Sequence, residues 1–591
     1  MGSALNLPGS GGSLSGRRWV WREAEDRVGL GIAQRLGVPE ILGRMLAMRG
    51  VGVEGAADFL TPTLRALMPD PSVLTDMDIA ADRLARAVRQ GETVAVFGDY
   101  DVDGACSAAI MTRVLRDLGC SALPYVPDRL SEGYGPNLPA LQRLAANGAS
   151  LIVCVDCGTA ASSVLAGMRG IADIVVLDHH KAEGPPPDVV ATVNPNRLDC
   201  ASGLGNLCAG AIAFLTCVAL VRSLRRSGHF TGRQEPNLLD LLDMVALASV
   251  CDVMPLVGLN RAFVYQGLKV LARRDRPGLV ALMDAAGVKE RPSAMTLGFA
   301  LGPRINAGGR IGEADMGLRL LLSGDAHEAT TLAQTLDGVN RQRQQVEAEM
   351  LDEAMASAAS QLAAGHAAVL VAGAGWHAGV VGIVASRIKE KFNRPACVAG
   401  IVDGIAKGSG RSVAGLDLGE AVIAARQLGI LATGGGHAMA AGFSLRDVQL
   451  ARFHAFLDGR LAAARSLPGA ADLMIEGSVA VGGVTDALAE QLARLAPFGP
   501  GNDEPVLVLP RVRVARADRI GREGATIRAF LEPEGGGSRL KSVMFRAKEG
   551  AVADALLEKR GAPLHLAGNV RIEHWNGMSS ANFIIQDAAN V

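Results

Sequence analysis

Three alternating aspartates, Asp99, Asp101 and Asp103, lie between Gly98 and Gly104, directly after the apolar run Val94-Ala95-Val96-Phe97. Carboxylates this crowded repel one another unless positive charge lies among them. Two further apolar runs end in the same way: Leu151-Ile152-Val153-Cys154-Val155 in Asp156, and Ile174-Val175-Val176-Leu177 in Asp178-His179-His180. The apolar run over 238–250 leads into Cys251-Asp252-Val253-Met254-Pro255, which brings another acid to the end of an apolar element. Aspartate oxygens with one or two imidazoles favour Mg2+ or Mn2+ over zinc, and the histidines tilt the choice toward Mn2+. So many carboxylates would overfill one coordination shell, so the pattern points to two ions. Pairs of ions about 3.5–4 Å apart serve phosphoester hydrolysis by activating water and stabilising the attacking and leaving oxygens. An Asp at a strand end can equally cap a helix. Asp103, just before a helix expected from Ala105, is the residue for which cap and ligand are both open.

These donors need a scaffold that delivers them to one place. Over 93–195, apolar runs of strand length alternate with helical segments at 105–118 and 138–146, the signature of β-α-β units and a parallel sheet. Ligands of such sheets bind beyond the carboxyl ends of the strands, where Asp99, Asp156 and Asp178 fall. Upstream, 51–66 and 77–90 show helical spacing, with Pro62, Pro69 and Pro71 between them. The stretch 330–364, with no Gly or Pro beyond Val339, reads as a long polar helix of roughly 50 Å, enough to connect two domains. A second α/β region follows over 366–458, with strand candidates at 368–372 and 396–402 and two glycine-rich loops, 407–412 and 434–437. Beyond Gly469, short alternating runs such as Arg511-Val512-Arg513-Val514 fit a small β-barrel. The expected division is 1–50 as flexible tail and lead-in, 51–329 as catalytic domain, 330–365 as connecting helix, 366–465 as second α/β domain and 466–591 as barrel.

At 591 residues the chain is too long for one core, and a net charge of −1 excludes a general polycation while leaving room for a local basic site. Nine scattered cysteines form no disulfide framework and fit a reducing compartment, with Cys154 and Cys157 read as small apolar packing residues. The Gly/Ser-rich N-terminus lacks the layout of a secretory signal and reads as a disordered tail. The longest apolar segment, 209–221, falls short of the about 20 residues a membrane span needs, so a cytoplasmic protein without a membrane partner is expected. No phosphate-binding G-x-x-x-x-G-K-[ST] occurs, so no nucleotide cofactor is expected.

The segments 98–107, Val155-Asp156-Cys157-Gly158-Thr159, Asp178-His179-His180 and Asp252-Val253-Met254-Pro255-Leu256 resemble the successive motifs of the DHH phosphoesterases, and within them the single-strand-specific 5′→3′ exonucleases. The resemblance runs from about Val51 to the C-terminus and takes in 126–135, 302–310, 376–382 and 434–437. It implies a parallel-sheet DHH catalytic domain, a long helix, a DHH-associated α/β domain and a C-terminal OB-fold barrel. It also implies one metal on Asp99, Asp101 and Asp156, and a second on Asp103, Asp156, His179 and Asp252. Asp156, His180 and Asp178 would be catalytic, with Asp156 bridging, His180 facing the scissile phosphate and Asp178 orienting the imidazoles. Cys106 replaces a hydroxyl residue and Gly308 an alanine of the usual pattern, and neither change removes a ligand. Nucleic-acid and phosphate contacts are carried over to Arg129, Tyr134, Arg304, Asn306, Arg310, Trp376, His377, Ser409, Arg411, Ser412, Gly435, Gly436 and His437. In the barrel, Arg511, Arg513, Arg516, Arg519 and Lys541 are candidate phosphate contacts.

The implied activity is release of 5′-mononucleotides from the 5′ end of single-stranded DNA with two Mn2+ or Mg2+ ions, in recombination and repair. A single-strand-binding protein and a helicase are the implied partners. A DHH phosphodiesterase for short oligonucleotides or cyclic dinucleotides shares the metal logic without needing a barrel, and a replication scaffold on a decayed DHH fold would have lost ligands.

Overall fold

The computed structural model describes residues 12–128, 132–133, 135–182, 184–521, 524–558, 562–575 and 578–591. Arg129, Tyr134 and the first eleven residues of the expected tail lie outside the described residues. The chain divides into two compact units. One comprises Ala57–Arg343 with Ala496–Asp503; the other holds the chain through Ala56, Gln344–Leu495 and Glu504–Val591.

Strand β1 (Trp19–Trp21) and the helices Asp26–Leu36 and Glu40–Met48 open the chain, so this stretch, grouped in sequence with a flexible tail, is built of regular elements. The 51–66 stretch gives two short helices, Ala56–Leu60 and Leu64–Leu67, in place of one, with Pro62 between them. Proline cannot donate to a continuing helical ladder.

In the first unit, β2 (Thr93–Gly98), β3 (Ser121–Tyr125), β4 (Ala149–Val155), β5 (Asp173–Leu177) and β6 (Ala191–Val193) form a fully parallel sheet ordered β3-β2-β4-β5-β6. Both faces are covered. Val94, Val96, Val153, Val155 and Val175 pack into one core, while Ala95, Phe97, Ile152, Cys154 and Val176 alternate into the other. That is why these strands read as unbroken apolar runs. The strand order reverses between β2 and β4, and a crevice opens at such a switch point.

The helix Ala326–Ala363 runs out of the first unit, and its last part belongs to the second. There, β7 (Val369–Ala374), β8 (Ala396–Val402), β9 (Ile405–Arg411), β10 (Thr433–His437) and β11 (Ala440–Arg446) form a mixed sheet ordered β10-β11-β9-β8-β7. Both segments expected as glycine-rich loops are therefore strands. Their glycines answer to packing: a Cβ on Gly408 would meet the Phe443 ring at 2.2 Å, and one on Gly410 the Leu418 side chain at 2.6 Å. Only Gly436, at φ 151°, uses the conformational freedom of glycine in its strand, and a Cβ there would lie 2.3 Å from the Ala440 carbonyl oxygen.

After the short strands β12 (Leu473–Ile475) and β13 (Gly477–Ser478) come β14 (Leu507–Ile520), β15 (Thr526–Pro533), β16 (Leu540–Met544), β17 (Leu564–Trp575) and β18 (Met578–Asn590). These last five are ordered β14-β15-β16-β18-β17, and β17 pairs back onto β14 to close a barrel. Strand β1 pairs in parallel with β12, and Trp19 Nε1 donates to buried Asp587 at 2.8 Å, so β1 is tied to β12 and to the last strand, β18.

Candidate metal centre

Asp99, Asp156 and Asp252 follow the carboxyl ends of elements, while Asp101 and Asp103 lie at the start of a helix. Asp99 follows β2 and accepts a hydrogen bond from Tyr100 N at 2.7 Å. Asp101, not Asp103, caps the helix Val102–Asp117, accepting from Gly104 N at 3.0 Å. Asp103 lies inside that helix, and its two oxygens accept from Ala209 N and Gly210 N, both at 2.8 Å. These are the first amides of the helix Ala209–Arg226, whose N-terminal dipole favours an anion. Asp156, at the end of β4, has a left-handed φ of 60°, unusual for a non-glycine residue. Asp252 ends the helix Leu242–Cys251, and Val253 after it also has positive φ, at 59°.

His179 lies at the centre. Its Nε2 is 3.3 Å from Asp156 Oδ1, 3.5 Å from Asp252 Oδ2 and 3.7 Å from Asp103 Oδ2. Potential donor atoms gather into the overlapping sets Asp99/Asp101/Asp156, Asp103/His179/Asp252 and Asp156/His179/His180, each within 4.8 Å. Burial and then repulsion from Asp103, Asp101, Asp99 and Asp252 push the Asp156 carboxyl far above its ordinary range. Burial with Asp103 and Asp101 raises Asp252 to about 8, while burial, against the pull of Asp103, lowers His179, the direction that favours a neutral imidazole. Asp156 Oδ1 and Asp252 Oδ2 are buried and have no hydrogen-bond partner among the described residues. Buried polar atoms are ordinarily paired. Two orphan oxygens in a cage of crowded acids fit divalent cations.

Asp178 is engaged elsewhere. Its Oδ1 accepts from His179 N, His180 N and the His180 ring Nδ1 at 2.8, 3.2 and 2.7 Å, and its Oδ2 from Thr159 N at 2.9 Å. Although burial opposes it, the pairing with His180 holds the Asp178 carboxyl below its usual range, and the same contact raises His180 to about 9 against its own burial.

The residues expected to grip the strand fall in both units. In the first, the helix Gly302–Ile311 presses on the aspartate loop: Asn306 Oδ1 accepts from Val102 N at 3.2 Å, and a Cβ on Gly309 would lie 2.9 Å from the Tyr100 carbonyl oxygen. Arg304 is tied to Asp337 at 2.9 Å and to the Ala300 carbonyl at 2.6 Å, and Arg310 sits on the same helix. In the second unit, the His377 carbonyl accepts from Val380 N at 2.9 Å and starts the helix Val381–Phe392, while its Nδ1 accepts from Gly379 N at 3.1 Å. At that helix start, a Cβ on Gly382 would lie 3.1 Å from Ser409 Oγ and 3.2 Å from Arg411 Nη2. Arg411 donates to Ser409 Oγ at 2.8 Å and to the Gly410 carbonyl at 2.9 Å, and no carboxylate pairs with it among the described residues. A half-buried guanidinium, a hydroxyl and a helix N-terminus are groups suited to holding an anion. Trp376 is half-buried, its indole packed where a Cβ on Gly373 would collide at 2.1 Å. Ser412 donates to the Leu416 carbonyl at 2.8 Å. Gly435, Gly436 and His437 run along β10 to its turn into β11, with His437 exposed. In the barrel, Arg511 pairs with Glu534, Arg516 with Asp518, Lys541 with Glu573, and Arg519 with backbone carbonyls, while Arg513 lies 3.9 Å from Glu534.

Family models match along the chain: "DHH family, N-terminal domain" over 93–248, "DHHA1 domain" over 364–463 and "RecJ OB domain" over 475–587. The single-stranded-DNA-specific exonuclease RecJ of Dickeya dadantii is 37% identical over 569 residues, covering 93% of this chain and 96% of the relative. Its Bacillus subtilis counterpart is 34% identical over 585 residues, covering 97% and 71%. The chain belongs to the RecJ family. Among solved structures, Thermus thermophilus RecJ in complex with Mn2+ matches with a TM-score of 0.80 at 29% identity, covering 96% of this chain and 79% of that one. The Mg2+ complex of the same protein matches at 0.73 and 28%, covering 97% and 79%.

This RecJ-family site also uses residues that the sequence reading passed over. Asn194 Nδ2 donates to the His180 carbonyl and to Thr159 Oγ1, both at 2.8 Å, and Asn196 Nδ2 donates to the His179 carbonyl at 2.6 Å. These two amides fix the backbone of both histidines from beneath. The available signal was Asn194-Pro195-Asn196 placed directly after β6, where a sheet presents its ligand-side residues.

Proposed function

We propose that the chain is a divalent-metal-dependent exonuclease that removes 5′-mononucleotides from the 5′ end of single-stranded DNA in recombination and repair. The observation that carries this reading is the convergence of Asp99, Asp101, Asp103, Asp156, His179 and Asp252, with orphan buried oxygens on Asp156 and Asp252. Asp99, Asp101 and Asp156 would hold one ion, and Asp103, Asp156, His179 and Asp252 the other. Bound there, two Mn2+ or Mg2+ ions would supply water activation and neutralise charge on the attacking and leaving oxygens.

The chain's own residues do the rest. Asp178, with both oxygens committed to His180, Thr159 and backbone amides, is a positioning group for the imidazoles. It holds the His180 ring through Nδ1, orienting it so that the ring can meet the scissile phosphate. Arg411 and Ser409 at the start of Val381–Phe392 would receive the terminal 5′ phosphate, a charge that an interior nucleotide does not offer in the same form. Arg129 and Tyr134 complete the proposed strand contacts, with Arg304, Asn306 and Arg310 at the aspartate loop and Trp376, His377, Ser412, Gly435, Gly436 and His437 in the second unit.

A closed barrel of OB type supports a polymer over a cyclic dinucleotide as substrate. No helix among the described residues is long and apolar enough to cross a membrane. The proposed setting is the cytoplasm, with a single-strand-binding protein and a helicase supplying the strand. Degradation of single strands labelled at either end, with Mn2+ or Mg2+ present, tests the reading. Mononucleotides should leave from the 5′ end only; release from the 3′ end, or equal cutting of duplex, would overturn it.

A further inference from the structure

The turn that aims Asp252 is strained and is held from outside the sequence of the catalytic region. Val253 is β-branched, has φ 59° and is 64% exposed, so neither its conformation nor its burial stabilises the turn. Strain of this kind persists only where surrounding structure over-determines it. Two groups do so here. From one side, buried Asn260 donates through Nδ2 to the Pro255 carbonyl at 3.1 Å and the Asn206 carbonyl at 2.6 Å. From the other comes Ala496–Asp503, which leaves the second unit to pack within the first. Leu256 N donates to the Pro500 carbonyl at 2.7 Å. Gly499 lies against Leu256 so closely that a Cβ would be 2.8 Å from its Cδ1, and Gly501 lies against Pro255 and Val257.

Beneath the segment is Arg261, only 2% exposed. Its Nη2 donates to the Ala496 carbonyl at 2.8 Å and its Nε to the Phe59 carbonyl at 3.0 Å, with the guanidinium 3.9 Å from the centre of the Phe59 ring. Asn502 Nδ2 donates to the Pro497 carbonyl at 2.8 Å and closes the segment on itself. A buried guanidinium spent on backbone carbonyls gives directional tethers that a lysine cannot reproduce.

We propose that Ala496–Asp503 and Arg261 are positioning elements for Asp252, fixing the turn Val253–Leu256 so that this carboxylate meets His179 and Asp103. This rests on the reading of Asp252 as a metal ligand. Groups that orient a ligand without touching the metal typically change affinity 10–100-fold when altered. The test uses the full chain with Mn2+ alone as probe, free Mn2+ being followed by electron paramagnetic resonance, together with melting curves and kcat and KM on a 5′-phosphorylated oligonucleotide. Gly499→Val should push Leu256 and weaken Mn2+ binding about tenfold, lowering kcat while KM for the strand stays put. Gly499→Val with Leu256→Ala, which opens the needed space, should recover Mn2+ affinity to within about threefold of wild type. Should Gly499→Val not melt cooperatively, Arg261→Lys takes its place with the same expected loss. Mn2+ affinity unchanged in a folded Gly499→Val or Arg261→Lys chain, or a double variant as weak as the single one, overturns the proposal. An Asp252→Ala chain that binds Mn2+ like wild type would instead remove the ligand assignment beneath it.

Discussion

At the residue scale, the centre is a set of acids placed where their own repulsion opposes folding. Asp156 faces four other aspartates in a buried site, and without a cation that arrangement destabilises the native state. Asp156→Asn replaces a carboxyl that folding forces either to stay charged among other acids or to take up a proton, and should raise the melting temperature in chelator by the equivalent of about 1–2 kcal/mol. In Mn2+ the order should reverse, because wild type gains about 2.7 kcal/mol at a hundredfold excess over its dissociation constant and the variant far less. Thermal melts with and without Mn2+ check both halves, and an Asp156→Asn chain less stable than wild type in chelator would refute the account. Gly104 sets a second test, since a Cβ there would lie 2.5–2.6 Å from the Asp99 backbone oxygen and nitrogen, with no flexible side chain to yield. Gly104→Ala should cost about 1–3 kcal/mol in denaturant unfolding and displace Asp99, lowering nuclease turnover at least tenfold.

At the scale of elements, the parallel sheet was legible because its central strands β2, β4 and β5 are covered on both faces and so appear as uninterrupted apolar runs leading into Asp99, Asp156 and Asp178. The long helix and β8 were legible for similar reasons: period and length identified them without reference to partners. Strands β9 and β10 were not. Lys407-Gly408-Ser409-Gly410-Arg411 and Thr433–His437 look like loops, since their glycines serve close approach by Phe443, Leu418 and Ala440, which only tertiary structure shows. The convergence of distant acids was foreshadowed by repetition, whereas the cap on Val102–Asp117 depended on a backbone offset that spacing alone leaves open between Asp101 and Asp103. The opening helices were hidden because what anchors them lies more than 400 residues away: Glu476, 2% exposed in its side chain, accepts from Arg49 at 2.6 Å and Arg22 at 3.1 Å. Removing one partner of such a buried group strands the others, so Glu476→Ala should destabilise the second unit by about 3–5 kcal/mol. The exposed pair Arg18–Asp472 should matter little by comparison. Urea unfolding, with limited proteolysis reporting early release of the first fifty residues, separates these cases.

At the scale of the whole molecule, 59 basic against 60 acidic residues give a net charge of −1, so the chain as a whole does not attract a polyanion. In the barrel, Arg511 is paired with Glu534 and Arg516 with Asp518, which further thins the free positive charge on that surface. On the proposed reading, recognition would rest on a few local sites, of which the cradle of Arg411, Ser409 and the start of Val381–Phe392 combines a cation with no carboxylate partner among the described residues and a helix dipole. Two measurable properties follow from that economy. Binding of a single strand should weaken only gently with salt, since each neutralised phosphate adds about 0.7 to the logarithmic slope and few are neutralised. Preference for a 5′-phosphorylated end over a 5′-hydroxyl end should depend on Arg411, whose loss removes a charge-assisted contact worth about 1.5–3 kcal/mol. Arg411→Ala should therefore reduce the ratio of kcat/KM between the two ends by roughly tenfold or more, while Mn2+ affinity stays at the wild-type value. An unchanged end preference in Arg411→Ala would move the terminal phosphate away from this cradle.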